Sequence, residues 1–229
     1  MTAMNRALAG LRLMIASGEL GPGEKFPAEP ELCERLGVSR SSLREAVRTL
    51  GALGVIESRH GLGTYVSSLD PAEIVQSLSL TIELLPFGGL LQLLEMRRVL
   101  EGYAAAQAAA RSTSQLCDEL SRLVAEMEVE PDLDRVATLD NEFHEVFLAA
   151  AGNPTIAAFV KVFRSTSSGY NIFSGANADA ARAASDAGHR VIVEAIRARD
   201  PMAAQAAASA HVAETERWLR EFSPPATGS

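Results

Sequence analysis

Two pairs of residues with chemically useful side chains are spaced four positions apart in this sequence: Arg40 with Arg44, and Asp140 with His144. Residues four apart share a face of an α-helix, so both members of a pair can act on the same partner. Two arginines on one face can present their guanidinium forks to the O6/N7 edges of guanine in a DNA major groove. An aspartate and a histidine on one face can chelate one metal ion.

The segments around the arginine pair predict three short helices followed by a β-hairpin. Apolar periodicity places these helices over 5–17, 29–36 and 40–53. The second is ended by Gly37 and the third is capped by Ser39, so very few residues separate them. Such a short connection is typical of a helix-turn-helix. Strand-like residues 55–58 and 64–67 then flank a glycine-containing tip, which indicates a hairpin.

The rest of the chain is predicted to be helical. Helical periodicity recurs over about 72–85, 89–111, 115–128, 132–151, 155–170, 179–199 and 201–222. The predicted fold is therefore mainly α, with an N-terminal winged helix-turn-helix that carries a small β-hairpin wing and a C-terminal all-α helical bundle. A Ser-Ser-Leu-Asp-Pro linker divides the chain into a winged-helix domain, a helical domain and a flexible tail, at 1–69, 70–222 and 223–229.

Charge is distributed unevenly along the chain. The formal net charge is -8, but residues 1–70 carry 8 Lys and Arg against 8 Asp and Glu, so the acidic excess lies beyond them. The first domain can therefore still present a basic face to phosphates. No apolar stretch approaches the roughly 20 residues that span a bilayer, and the first residues lack the apolar block of a signal peptide. We expect a cytoplasmic protein without a membrane partner.

Residues 20–66 resemble the winged-helix domain of GntR-family transcriptional regulators. The most specific mark is the run Ser39-Arg40-Ser41-Ser42-Leu43-Arg44-Glu45-Ala46 at the start of the third predicted helix. In that family this helix enters the major groove, and the glycine-containing hairpin is a wing near the minor groove. The resemblance and the residue chemistry together predict DNA contacts from Ser39, Arg40, Ser41, Ser42, Arg44, His60, Gly61 and Gly63.

Two positions depart from the usual pattern of the family. Pro30 stands where a basic residue is usual, and Leu62 stands where a basic or polar residue is frequent. A proline is tolerated in the first turn of a helix, where its missing N–H would have no intrahelical partner. We therefore expect altered specificity or weaker binding, with DNA binding itself retained.

Residues 72–222 resemble the all-helical FCD effector domain of the FadR-type branch of this family. The resemblance is carried by Glu95, Arg97 and Glu101, by the segment LDNEFHEVFLAAAGNP, and by the last two histidines. It implies a divalent metal held by Asp140, His144, His189 and His211. Spacing supports this set independently, because His189 and His211 lie equally far from a predicted turn at 200–201, on two antiparallel helices. The alternative is that each histidine is an ordinary core or surface residue.

The donor set leaves the metal open and the effector broadly defined. One carboxylate and three imidazoles suit Zn²⁺, Ni²⁺, Mn²⁺, Fe²⁺ or Co²⁺, and we expect zinc in the isolated protein. The resemblance implies an organic-acid effector, such as a sugar acid, a hydroxy acid or a dicarboxylate. We predict that Arg97 binds the effector carboxylate and that Asn171 adds an amide contact. The alternative for Arg97 is an ion pair with Glu101, four residues along the same helix.

These predictions combine into a homodimeric transcriptional repressor that is not an enzyme. Its winged helices would bind a palindromic double-stranded DNA operator, and the carboxylate-containing effector would change that binding. Two alternatives stay open. A helical metalloenzyme could have kept a DNA-binding appendage, although Glu142 and Glu145, the nearest candidate bases, point away from the Asp140 face. A pure metal sensor would use the ion itself as its signal.

Overall fold

The computed structural model describes residues 1–168 and 178–222, and the chain divides into two compact units between Ser77 and Leu78. Asn171 and the predicted tail 223–229 lie outside the described residues. The division falls beyond the linker because the helix over Pro71–Gln76 stays with the first unit. Its Ile74 lies so near Gly54 that a Cβ on that glycine would be 3.8 Å from the Ile74 Cα.

The first unit is a winged helix-turn-helix. Its elements are α1 (Ala3–Ala16), α2 (Glu29–Leu36), α3 (Arg40–Ala52), β1 (Ile56–Arg59), β2 (Gly63–Val66) and α4 (Pro71–Gln76). The two strands are antiparallel, with Ile56 opposite Val66. Gly37 ends α2 at a φ of +61°, a conformation that glycine adopts without steric cost. The Ser39 hydroxyl caps α3 by accepting a hydrogen bond from the Ser42 N–H at 3.3 Å.

An apolar core fixes the orientation of α3. Its buried residues come from the helices, both strands and the connecting turn: Ala7, Leu11, Met14, Leu20, Phe26, Leu32, Leu43, Ala46, Leu50, Ile56 and Val66. The buried residues of α3 are Leu43, Ala46 and Leu50, at the spacing of one helical face. Because that face is buried, the arginines of α3 lie on the side that faces solvent.

The second unit is a bundle of helices. They are α5 (Ser79–Ile82), α6 (Phe87–Ala110), α7 (Ser114–Val129), α8 (Leu133–Ala150), α9 (Pro154–Ser168), α10 (Ala178–Arg197) and α11 (Pro201–Phe222). Helix α6 packs against α8, α9, α10 and α11, while α7 packs against α8 and α10. Within the described residues, no helix combines the length and the apolar character needed to cross a bilayer. The predicted fold, a winged helix-turn-helix followed by a helical domain, is confirmed.

The single helix predicted over 72–85 is wrong, because the structure has two short helices there, α4 and α5. The backbone N–H of Ser77 donates a hydrogen bond to the Ile74 carbonyl at 3.2 Å, and the Ser77 hydroxyl donates to the same oxygen at 2.7 Å. A serine side chain that competes for a backbone carbonyl in this way favours the end of a helix. Apolar periodicity does not reveal such a local interruption.

Close packing of α6 against α11 depends on a glycine. A Cβ on Gly102 would lie 2.5 Å from the Ser209 Oγ and 3.2 Å from the Gln205 carbonyl oxygen. Nearby, the Ser209 hydroxyl donates a hydrogen bond to the Arg98 carbonyl at 3.0 Å. The two helix backbones can therefore approach only where one of them has no side chain.

We expect Gly102→Ala to destabilise the helical unit by about 1–3 kcal/mol, the usual cost of forcing extra volume into a packed interface. Gly88→Ala, in the first turn of the same helix, is the control because nothing lies within 4 Å of its Cβ position. That variant should equal or slightly exceed the wild type in stability. Urea unfolding checks both. Equal stability of the two variants would contradict the proposed close contact.

Candidate DNA-binding surface and metal centre

The solvent-facing side of α3 carries the predicted arginine pair. The side chains of Arg40 and Arg44 are 70% and 63% exposed. Arg48 is also exposed and continues the same row, four residues beyond Arg44. Sequence analysis missed Arg48, although its spacing was the available signal. The helix therefore presents a row of three guanidinium groups to solvent, at a spacing that suits successive contacts along a groove.

The predicted serines lie at the beginning of this helix. Ser39 and Ser41 are exposed and Ser42 is partly exposed. Besides capping α3, the Ser39 Oγ lies 2.9 Å from the Ser41 Oγ and 3.0 Å from the Ser42 Oγ. The three hydroxyls thus form a small polar cluster at a helix N-terminus, where the helix dipole favours an anion such as phosphate.

The tip of the hairpin is exposed and contains the predicted wing residues His60, Gly61 and Gly63. Gly61 and Gly63 have φ values of +71° and +117°, which residues with a Cβ rarely adopt. A Cβ on Gly63 would also lie 2.8 Å from the Lys25 Cε, so Lys25 packs directly over the wing. Sequence analysis missed Lys25, because this contact joins distant parts of the chain.

Arg59 is a second cation on the wing that sequence analysis missed. Its guanidinium lies 4.4 Å from the centre of the Tyr65 ring, and its Nη2 donates to a Glu57 carboxylate oxygen at 3.1 Å. A guanidinium over an aromatic face is held by electrostatic attraction to the ring. Strand pairing brings Arg59 close to Tyr65, so the contact depends on the register of the hairpin.

The four predicted metal ligands converge inside the helical unit. Asp140 and His144 lie on α8, His189 lies on α10 and His211 lies on α11. Each offers one ligand atom, and these atoms all lie within 4.8 Å of one another. The three imidazoles are buried and the aspartate is partly buried. Three helices therefore bring together a donor set that matches a transition-metal site.

Whether a metal fits this cluster can be judged from its buried polar atoms. Both ring nitrogens of His144, both of His189 and one oxygen of Glu101 are buried without an aligned hydrogen-bond partner among the described residues. Two of these atoms do lie close to a carboxylate oxygen. The His189 Nε2 is 3.1 Å from the Asp140 Oδ1, and the His144 Nδ1 is 2.9 Å from the Glu101 Oε2. Buried polar atoms without partners are costly in native proteins. A bound cation would satisfy the inward-facing donors, so the residues fit a metal.

The electrostatics of the cluster also favour metal binding. Burial, followed by the nearby Arg164, lowers the pKa of His144 to about 4. Burial likewise lowers the pKa of His211 well below its usual value, and the neighbouring histidines add to this effect. Burial alone would raise the pKa of Asp140, but Arg164 and the histidines outweigh it and hold that pKa well below its usual value. Neutral imidazoles and an ionised carboxylate are the forms that bind metals.

Gly188 makes room for the His211 ring. A Cβ at position 188 would lie 2.6 Å from the His211 Nδ1. The ring centres of His189 and His211 are 4.4 Å apart, so the two histidines pack closely across α10 and α11. Sequence analysis did not identify Gly188, because nothing local distinguishes it from other helical glycines.

Arg97, the predicted effector-binding cation, lies beside the cluster in a buried ion pair. Its Nε donates to the Glu101 Oε1 at 2.8 Å, and both side chains are almost fully buried. Burial alone would raise the pKa of Glu101, but Arg97 and then His144 outweigh it, so the pKa is lowered. The alternative ion pair of the sequence analysis is therefore present, and an effector contact from Arg97 stays a prediction.

A cavity of about 260 Å³ opens beside His144, and sequence analysis missed its charged lining. It is lined by Asn141, His144, Glu145, Leu148, Lys161, Arg164 and Ser165. Arg164 is only 12% exposed; it pairs with the second oxygen of Asp140 and donates to the Asn141 Oδ1 at 3.0 Å. The cavity thus adjoins the metal-ligand cluster and carries two cationic side chains. Its chemistry suits a small anion.

Each of the two units matches a known protein family. The family described as "Bacterial regulatory proteins, gntR family" matches residues 4–66, and the FCD domain matches residues 92–214. The chain is 36% identical over 141 residues to the HTH-type transcriptional regulator LutR of Bacillus subtilis (strain 168), covering 61% of this chain and 64% of LutR. It is 30% identical over 224 residues to the Glc operon transcriptional activator of Escherichia coli (strain K12), covering 91% of this chain and 85% of that protein.

A solved structure described as Streptococcus agalactiae GntR superimposes with a TM-score of 0.57 at 30% identity, covering 94% of this chain and 99% of that chain. A winged helix with an exposed arginine row, followed by an effector-type helical domain, defines a DNA-binding transcriptional regulator. The chain belongs to the GntR family and carries an FCD effector-binding domain. The prediction of a DNA-binding regulator is confirmed, and the similar proteins are transcriptional regulators rather than enzymes.

We expect the protein to bind about one divalent transition-metal ion per chain, and we expect His189→Ala to weaken that binding. The loss should exceed the roughly 10–100-fold that removal of an outer-shell partner costs, because a direct ligand is removed. Competition with a chelator and elemental analysis measure it. His60→Ala is the control, since His60 is exposed on the wing. Equal metal affinity of the two variants would contradict the site.

Proposed function

We propose that this protein is a homodimeric repressor that binds a palindromic operator and whose operator affinity is controlled by a small organic acid bound next to a divalent metal. The observation that carries this proposal is the cavity of the helical unit, which is lined by Arg164 and Lys161 together with Glu145 and shares His144 with the predicted metal-ligand cluster. A cavity without that cluster would suit many anions. The adjacency favours a ligand that offers oxygen atoms to a metal and a carboxylate to a cation.

The residues that would hold the metal are Asp140, His144, His189 and His211. When bound, the ion would supply open coordination positions for an effector oxygen, since four protein ligands do not fill a six-coordinate shell. Neighbouring side chains orient the ligands. Arg164 anchors the outer oxygen of Asp140, and Glu101 faces the His144 Nδ1, so both neighbours orient a ligand side chain.

The cavity favours a small effector with at least one carboxylate. Its volume of about 260 Å³ lies below the usual range for drug-sized ligands. Arg164 and Lys161 both line it, and Lys161 also pairs with Glu145 at 2.7 Å. A guanidinium can bind a carboxylate with two parallel hydrogen bonds, which gives both energy and orientation. These features support a hydroxy acid, a sugar acid or a dicarboxylate.

Control of DNA binding requires that the effector distinguish two arrangements of the dimer. A ligand shifts such an equilibrium only by the difference between its affinities for the two states. In the metal-sensor alternative, the metal alone would change operator affinity, without an organic acid. One relative is named as an operon activator and another as an operon repressor, so the sign of regulation differs among similar proteins. A promoter-reporter assay decides between repression and activation for this protein.

We expect a thermal-shift screen of organic acids, with and without divalent ions, to identify acids that stabilise the metal-loaded protein. A ligand that binds only the folded state raises the unfolding midpoint. Arg164→Gln should weaken the response to such an acid about tenfold or more, the usual cost of a lost charged hydrogen bond. Because Arg164 also orients the predicted metal ligand Asp140, the assay is run with enough metal to keep this variant loaded, and metal content is measured in parallel.

Arg190→Gln is the matched control, because Arg190 is an exposed cation that pairs with Glu128 away from the cavity. It should respond to the acid like the wild type. An acid response that is unchanged in Arg164→Gln would contradict the cavity as the effector site. A change of operator affinity caused by metal alone, with no acid response, would favour the metal sensor.

For the DNA-binding surface, we expect Arg44→Ala to reduce discrimination between a selected duplex and a scrambled duplex about tenfold or more, the range of one lost bidentate base contact. Arg12→Ala is the control, since Arg12 is exposed on α1 and its loss changes the net charge equally. Fluorescence anisotropy at several salt concentrations measures both variants. Equal loss of discrimination in the two variants would show that Arg44 acts only through charge.

A further inference from the structure

A carboxylate lies in the middle of the basic surface of α3. The Glu29 Oε2 accepts a hydrogen bond from the Arg44 Nε at 2.9 Å, and the Glu29 Oε1 lies 4.0 Å from the Arg40 Nε. Glu29 begins α2, so this one side chain joins the first helix of the helix-turn-helix to the two arginines of the second. Both described ion-pair partners of Glu29 belong to α3.

An acidic group at this position is unfavourable for binding DNA in general. A negative charge beside phosphates repels them and reduces the electrostatic attraction that supplies non-specific affinity. The N-terminus of α2 does favour acidic residues through its dipole, but Glu31 lies in the same first turn and serves that purpose equally. The helix dipole therefore does not explain why Glu29 reaches across to α3.

The hydrogen bond from Arg44 gives a better explanation. It occupies the Nε edge of the guanidinium, while the two terminal nitrogens are the ones that can form an end-on fork with guanine. The contact also restricts a long side chain that is otherwise highly exposed, so less conformational entropy remains to be lost on binding. The same hydrogen bond raises the pKa of Arg44.

We infer that Glu29 is a positioning residue for base recognition: it holds Arg44, and more loosely Arg40, toward base edges, and its charge disfavours alternative contacts of these arginines with phosphates. Glu29 therefore raises sequence discrimination at the cost of general affinity. The inference rests on the proposed role of Arg40 and Arg44. The residue after Glu29 is Pro30, so the usual basic side chain of the family is absent at the neighbouring position.

The test uses the full-length protein and two probes, the best duplex that the wild type selects from a randomised library and a scrambled duplex of equal composition. Glu29→Ala should lower the ratio of the two affinities about tenfold, the size of one bidentate contact. The change should come largely from tighter binding of the scrambled duplex. The salt dependence of that binding should steepen by about one phosphate contact, because Arg44 becomes able to bind phosphate.

Two further variants separate position from charge. Glu29→Gln removes the charge but keeps an oxygen that can accept from Arg44, so its loss of discrimination should be smaller than that of Glu29→Ala. Glu31→Ala removes one negative charge from the same helix, and it should leave the ratio of affinities unchanged. A ratio in Glu31→Ala that falls as far as in Glu29→Ala would overturn the inference, since charge alone would then account for the effect.

A double-mutant cycle completes the test. In the Arg44→Ala background, Glu29→Ala should cause little further loss of discrimination, because a positioning residue has no effect without the residue that it positions. Additive losses would overturn the inference while leaving the role of Arg44 intact. No loss in Arg44→Ala itself would instead reject the proposed DNA-binding role of that arginine, so the two failures are distinguishable. Circular dichroism of every variant confirms that the helices are retained.

Discussion

The helical domain depends on burying several charged and polar side chains at one point in its core. Glu101, Arg97 and His144 are almost fully buried there, and Asp140 and Arg164 lie at the edge of the same cluster. Moving such groups out of water is costly unless opposite charges and hydrogen bonds compensate. The two arginines balance the two carboxylates, while burial lowers the pKa of His144 and of His211 and so favours the neutral form of these two rings. The inward-facing donors then have a geometry that a cation satisfies.

Small residues are needed between the helices around this cluster. Gly188 leaves space for the His211 ring, and Gly102 lets α6 approach α11. A methyl group at either position would displace a side chain that takes part in the packing of the bundle. The proposed metal ligands lie on three helices rather than on loops, which favours a fixed coordination geometry. An effector bound beside them, as proposed, would contact a preformed surface, because Arg164 is already oriented by Asp140.

The DNA-binding unit keeps its charged side chains in solvent, whereas the helical unit buries several of its own. Its apolar core holds one face of α3, so the arginines remain in solvent, where a charge costs little to maintain. Specific recognition then depends less on the number of cations than on their direction. Glu29 orients Arg44 on α3. Tyr65 and Glu57 orient Arg59 on the wing. In both places a neighbouring side chain restricts a long cation.

Sequence alone was sufficient for the features that depend on neighbours along the chain. Helical periodicity, the Ser39 cap and the glycine after α2 predicted the winged helix, and the spacing of Asp140 and His144 predicted one shared face. The tertiary structure decided which residues meet across helices: Arg164 with Asp140, Glu101 with His144 and Glu29 with Arg44. The reason is geometric, because a repeat of 3.6 residues fixes the face on which a side chain lies. It leaves open which helix packs against that face, since this depends on the packing of the whole core.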